Sequence, residues 1–121
     1  FRQVFMDGRK PPVDPSPTWQ GYSVGRWEGD TLVVNTSGFN DRGWLDARGT
    51  GHSTELRVEE RFRRRDYGHM DLTITVTDPV VFTRPITFSV VEELLPDTDV
   101  LEHYCLENER DDAHAPGRER K

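Results

Sequence analysis

The residues best suited to chemistry in this 121-residue chain are histidines and a few carboxylates that fall in phase with apolar strand positions. Three histidines precede the charged C-terminal stretch: His52, His69 and His103. Glu60 and Glu92 each share the parity of the apolar residues in their own alternating segment. Because a buried carboxylate or imidazole is costly without a partner, each of these groups predicts a hydrogen-bonded pair or a functional site.

A tight turn at 96–99 predicts which of these groups meet. If Leu95 opposes Val100 across this turn, Glu92 opposes His103, and directly opposed residues share one face of a sheet. A metal-bound histidine often has its second nitrogen held by a carboxylate, and such a carboxylate can also bind the metal itself. A structural His–Glu pair that closes the end of the core is the alternative interpretation.

Histidines on facing strands with a carboxylate can hold iron or copper inside a β shell. We therefore predict a mononuclear metal site built from His103 and His52, with His69, Glu60 or Glu92 completing it. Glu60 and Glu92 are the predicted catalytic carboxylates. The expected cofactor is a transition metal ion, copper in preference to iron, with zinc as a further option.

The elements that must position these residues are short strands. Alternation and turn signals predict strands over 22–27, 31–34, 54–63, 70–77, 86–95 and 100–106. The predicted fold class is all-β, a small antiparallel jelly-roll or cupin-like sandwich or barrel, with a calycin-like closed barrel as the alternative. Residues 1–17 are predicted to be an extended segment with a Pro-rich connector, 18–108 a single β domain, and 109–121 a charged disordered tail.

A long loop over 36–53 interrupts the strands, and loops of this length inside a compact domain are usually functional or disordered. Its Asp41 and Asp46 flank Trp44, and paired carboxylates can act as acid and base in glycoside chemistry, although aspartates in loops usually form turns. Exposed aromatic side chains are candidates to stack on sugar rings, and the alternative interpretation is that at least two of the three tryptophans are core or loop anchors in a domain of this size. The predicted substrate-binding residues are Trp44, Trp27 and Tyr67, and Trp19 and Tyr22 are further aromatics of this kind.

Composition excludes several partners. Sixteen Lys and Arg against 22 Asp and Glu give a net charge of −6, which argues against nucleic acid. The basic run Arg61, Arg63, Arg64 and Arg65 is flanked by acids and is interpreted as a solvated strand end. No run approaches the roughly 18 to 20 apolar residues of a membrane helix. One cysteine allows no intrachain disulfide and no multi-cysteine metal site. An exposed strand edge would allow a homodimer.

Several segments resemble an uncharacterised family of secreted proteins of soil bacteria, especially acidobacteria. They are GYSVGRWEGDTLVV at 21–34, GFNDRGWLD at 38–46, TDPVVFTRP at 77–85 and LLPDTDVLEHYCLEN at 94–108. The resemblance implies a secreted or periplasmic protein, with members that usually carry a further N-terminal part. It also implies His at position 52 and carboxylates at 60 and 102, whereas His69 and His103 are often replaced in the family.

Two functions from different classes follow from these patterns. The first is an extracytoplasmic copper or iron oxidoreductase that acts on a carbohydrate, such as a plant polysaccharide. The second is a non-catalytic carbohydrate-binding or accessory β module in which the His–Glu pair is structural.

Overall fold

The computed structural model describes residues 2–99, which form one six-stranded sheet and no helix. The strands are β1 (Val4–Phe5), β2 (Tyr22–Glu28), β3 (Thr31–Ser37), β4 (Arg57–Arg64), β5 (His69–Thr77) and β6 (Ile86–Glu93). They lie side by side in chain order, all antiparallel except that β1 runs parallel to β2. The all-β prediction is confirmed. Within residues 2–99 the sheet is open rather than a closed barrel, which is consistent with a small β-sandwich or jelly roll.

The register separates the side chains into two faces, because directly paired residues point to the same side of a sheet. One side, here called the apolar face, contains the following residues: Trp27, Leu32, Val34, Val58, Phe62, Leu72, Ile74, Val76, Ile86, Phe88 and Val90. The opposite side, here called the polar face, contains these residues: Arg26, Glu28, Asn35, Glu59, Arg61, Arg63, Asp71, Thr73, Thr75, Thr87 and Ser89. The predicted alternation of strands 54–63 and 70–77 is therefore confirmed.

Residues 2–6 cover the part of the apolar face nearest β1. Val4 and Met6 lie so close to Gly25 that a Cβ at this position would collide with both side chains. Val34, which is paired with Gly25 across β2 and β3, is buried beside them. The β2 glycine is thus needed for close approach of the N-terminal segment rather than for a turn.

The alternation in 86–95 predicts that Ile86, Phe88, Val90 and Leu94 face inward, and this prediction is wrong for the described residues. Ile86, Phe88 and Val90 are 44%, 47% and 41% exposed, and Glu92 on the same side of the strand is exposed as well. The parity is as expected, since these residues pair with apolar residues of β5. However, residues 2–99 provide only one sheet, so these residues supply no second layer over this end of the apolar face.

The polar face carries a layer of paired charges over a buried valine. Val33 is fully buried between Arg26 and Arg61 in the register. Glu28 accepts hydrogen bonds from Arg26 Nη2 at 2.6 Å and from Arg61 Nη2 at 2.7 Å. Arg63 Nε donates to Asp30, and Arg65 pairs with Asp71. The charged ends of these arginines are thus occupied by carboxylates, while their stems cover apolar surface.

Strand bounds otherwise differ from the predictions by a few residues, apart from β1, which was not predicted as a strand. The predicted strand 100–106, including His103, and the predicted tail 109–121 lie outside the described residues. No helix among the described residues is long and apolar enough to span a membrane.

Candidate functional site

The loop between β3 and β4 is held in shape by hydrogen bonds to its own aspartate. Asp46 Oδ1 accepts from the backbone N–H groups of Arg48 at 2.9 Å and Thr50 at 3.1 Å, and Asp46 Oδ2 accepts from the Thr50 hydroxyl at 2.9 Å. Leu45 N–H donates to the Thr50 carbonyl at 2.8 Å. The bonds from Thr50, first its N–H and then its hydroxyl, lower the pKa of Asp46. Asp46 is therefore a turn-forming carboxylate that stays ionised, which does not suit a proton donor.

Asp78 ties the C-terminal end of this loop to the segment after β5. Its carboxylate accepts four hydrogen bonds, from the N–H and hydroxyl of Ser53 at 2.6 and 2.8 Å, and from the N–H groups of Val80 and Val81 at 3.1 and 3.3 Å. Asp78 is 1% exposed. Desolvation raises its pKa, but the bonds from Ser53 and then from Val80 and Val81 outweigh this effect and leave the pKa below its usual value. We call this arrangement the Asp78 clasp.

His52 packs inside the same loop. Its ring lies edge-on to Phe39, with 6.1 Å between the ring centroids, and its Nδ1 is 3.2 Å from the carbonyl of Ser53. Its Nε2 is close to Gly43, where a Cβ would come within 3.0 Å of it. The predicted inward orientation of His52 thus corresponds to a partly buried ring that helps to close the loop.

Trp44 stands on this fixed loop with its indole in solvent. Its side chain is 76% exposed, although its backbone bridges to Gly51. Trp19 lies at the same end of the sheet, after the bridge that joins Thr18 to Phe39, and is 67% exposed. Tyr22 differs from them, because its ring stacks on Phe5 with a centroid distance of 4.9 Å.

The other predicted substrate-binding residues lie at the opposite end of the sheet. Trp27 precedes the turn between β2 and β3 and is 65% exposed, and Tyr67 lies in the turn between β4 and β5 and is 75% exposed. These turns are neighbours, because Thr31 pairs with Arg63. Trp44 therefore does not form one platform with Trp27 and Tyr67.

The structure also separates the two described histidines. His52 lies near the start of β4, where Arg57 pairs with Thr77, whereas His69 begins β5 at the opposite end of that hairpin. At about 3.3 Å per residue, the eight residues of β4 span about 23 Å. His69 is exposed, and its Nδ1 lies 2.8 Å from Asp66 Oδ1. One metal ion cannot contact both rings.

Within residues 2–99, no three His, Cys, Asp or Glu side chains come together in a way that could hold a metal ion. His103 lies outside these residues. The predicted metal site therefore stays a prediction, and the geometry restricts it to one of His52 and His69 together with His103.

The two predicted catalytic carboxylates have different surroundings. Glu60 lies on the apolar face between Val34 and Ile74, with a side chain that is 13% exposed. Its Oε2 forms an ion pair with Arg2 Nη1 at 2.7 Å but has no hydrogen-bond partner among the described residues. Glu92 shares the face but is exposed on β6. The described residues therefore do not bring the two carboxylates into one buried site.

An open cleft of about 980 Å³ lies between the Pro-rich connector and the polar face, at the end of the sheet that carries the loop. Phe39 and the prolines form its apolar wall. Two cations, Lys10 and Arg57, and three anions, Asp14, Glu55 and Glu59, also line it, so the lining carries a small excess of negative charge. This lining suits a neutral ligand with many hydroxyl groups.

Sequence reasoning missed two residues that organise these regions, Arg2 and Asp78. Arg2 reaches Glu60 from a segment outside any predicted strand, and nothing in the local pattern indicates this contact. Asp78 is visible in the sequence only as part of an Asp-Pro strand break. An aspartate whose side chain accepts hydrogen bonds from N–H groups two or three residues later is nevertheless a known turn motif, and it could have indicated the clasp. Trp19 was recognised as an aromatic, but its position at the end that carries the loop follows only from the sheet.

Comparison with known proteins gives no relative. No protein-family model, no curated protein and no solved structure matches this chain.

Proposed function

We propose that this chain is a non-catalytic carbohydrate-binding module that takes a neutral polysaccharide at the end of the sheet that carries the loop, with Trp44 as its main stacking residue. One observation carries the proposal: an indole that is 76% exposed stands on a loop fixed by the Asp46 hydrogen bonds and the Asp78 clasp. An exposed large aromatic ring does not contribute the hydrophobic stabilisation that its burial would give. Because its loop is rigid, the ring is preorganised for binding and loses little conformational entropy when a ligand stacks on it.

Carbohydrate suits this surface better than other ligand classes. The C–H bonds on one side of a pyranose ring form an apolar patch that stacks on an indole, while its hydroxyl groups need hydrogen-bonding partners at the rim. The cleft beside the loop offers such partners, since Asn35, Thr75 and Thr77 line it. The cleft is lined by three anions and two cations, and this small negative excess favours a neutral sugar over an acidic one.

Depletion assays on insoluble polysaccharides test this proposal. The full chain is mixed with cellulose, xylan or chitin, and the unbound fraction is measured over a concentration series. We expect Trp44→Ala to weaken binding about tenfold, which corresponds to about 1.4 kcal/mol. Trp44→Phe keeps an aromatic face and should retain part of the affinity.

Two controls separate stacking from general hydrophobic adhesion. Leu95→Ala removes an apolar side chain that is 65% exposed but not aromatic, and Trp27→Ala removes an exposed indole at the opposite end of the sheet. Both variants should bind within about twofold of the unmodified chain, well inside the tenfold effect of a stacking residue. The proposal fails if the intact chain binds no polysaccharide, or if Trp44→Ala binds as well as the intact chain.

A further inference from the structure

The apolar face is covered at one side and open at the other. Near β1 it is closed by Val4, Met6 and the Arg2 contact with Glu60. Toward β6, every residue of the strand is exposed, including the three that continue the apolar rows of β5. A sheet with one apolar side is stable only when a second layer covers that side.

We propose that a second copy of this chain covers the open apolar face, so that two sheets pack face to face in a two-fold symmetric sandwich. Large apolar side chains with 41% to 65% of their surface exposed mark the contact area: Met6, Trp27, Ile86, Phe88, Val90 and Leu94. Trp27 belongs to this surface and not to the carbohydrate site, which lies at the opposite end of the sheet.

The available area is sufficient for a specific dimer. Burying about half of six large side chains, at about 200 Å² each, removes about 600 Å² per copy from water. Two copies together bury about 1,200 Å², at the lower end of the range for specific interfaces. Sheets that pack in this way lie about 10 Å apart with their strands nearly aligned, which suits the flat apolar rows of β5 and β6.

The charge distribution permits this contact despite a net charge of −6 per chain. The paired arginines and carboxylates lie on the opposite, polar face. On the apolar face, Arg64 and Glu92 both pair with Met70 and therefore lie at one end, with opposite signs. A two-fold axis near this end can place the arginine of one copy beside the glutamate of the other, so like charges need not meet.

Sedimentation velocity of the full chain between about 1 and 100 μM tests the inference, with Phe88→Glu as the disrupting variant. A charge at the centre of an apolar contact, present twice per dimer, should raise the dimer dissociation constant by about a hundredfold or more. Thr87→Glu is the matched control. It places the same charge on the neighbouring residue of β6 but on the polar face, and it should leave the dimer intact.

The outcomes separate the possible occupants of the face. A dimer lost in Phe88→Glu and kept in Thr87→Glu supports the inference, provided that circular dichroism shows both variants folded. If Phe88→Glu does not fold, Val90→Ser, a milder change on the same face, takes its place. A dimer that resists both substitutions overturns it in favour of pairing along the β6 edge. A monomer at every concentration also overturns it, and carbene footprinting at Phe88 then shows whether the chain itself protects this face.

Discussion

Two carboxylates, Asp78 and Glu60, are removed from water in different regions of the molecule, and their surroundings differ. Asp78 receives four hydrogen bonds where the loop meets the segment after β5. Glu60 lies near the centre of the apolar face with one arginine nearby, and its Oε2 receives no hydrogen bond. Burial alone therefore does not reveal what a carboxylate does. The number of donors that reach it distinguishes a structural anchor from a group whose burial is poorly compensated.

Replacing Asp78 should have the largest effect on stability. Asp78→Ala removes every acceptor of the clasp and leaves the partly buried N–H of Ser53 without its partner, so we expect a loss of about 3 kcal/mol in the free energy of unfolding. Urea denaturation followed by circular dichroism measures it. Asp66→Ala removes an exposed aspartate and should cost less than about 1 kcal/mol. Equal losses in both variants would show that the clasp has no special role.

The clasp should also set a dependence of stability on pH. The folded pKa of Asp78 lies below its usual value, so its stabilisation is complete above the unfolded pKa of about 3.9 and is lost as the pH falls through the folded pKa. Asp78→Asn cannot titrate. We therefore expect the stability difference between the intact chain and Asp78→Asn to be constant near neutral pH and to shrink below about pH 4. A difference that does not change down to pH 2.5 would contradict an ionised clasp.

The sequence predicted where one of these carboxylates lies but not which residues contact either of them. Strand parity placed Glu60 on the apolar face correctly, because Val58 and Phe62 alternate with charged residues over a whole strand. Neither its contact with Arg2 nor the contact of Asp78 with Ser53 could be predicted in this way. Both contacts join segments far apart in the chain, and Arg2, Ser53 and Asp78 lie outside regular strands, where periodicity carries no information.

The histidines teach a different lesson. The predicted hairpin already implied that His52, before its first strand, and His69, after its turn, lie at opposite ends. Combining them in one metal site neglected this consequence of antiparallel pairing. By contrast, the exposure of Ile86 and Phe88 could not be predicted, since alternation reveals which residues share a face but not whether anything covers that face.

Replacing Glu60 should have a smaller effect of the opposite sign. Glu60→Leu removes a poorly compensated buried charge and extends the apolar row, while Arg2, one third exposed, can return to water. We expect a gain of about 1 kcal/mol in the free energy of unfolding. Glu59→Leu is the matched control on the polar face. Its side chain is 38% exposed near Arg61, and its replacement should change stability by less than about 0.5 kcal/mol. A clear loss in Glu60→Leu would show that the ion pair with Arg2 stabilises the fold.

The smallest effect on stability is expected at His69, and the histidine replacements also test whether these imidazoles belong to a metal centre. The one contact described for the His69 side chain is with the exposed Asp66, so His69→Ala should change stability by less than about 0.5 kcal/mol.

Metal content is measured on protein purified without a histidine tag, for His52→Ala, His69→Ala and His103→Ala. If His103 binds a metal, its replacement should abolish the bound metal. Because about 23 Å of β4 separates His52 from His69, at most one of their replacements should do the same. Equal loss of metal in both variants would require the two ends of the hairpin to approach each other, which an intact β4–β5 ladder does not permit.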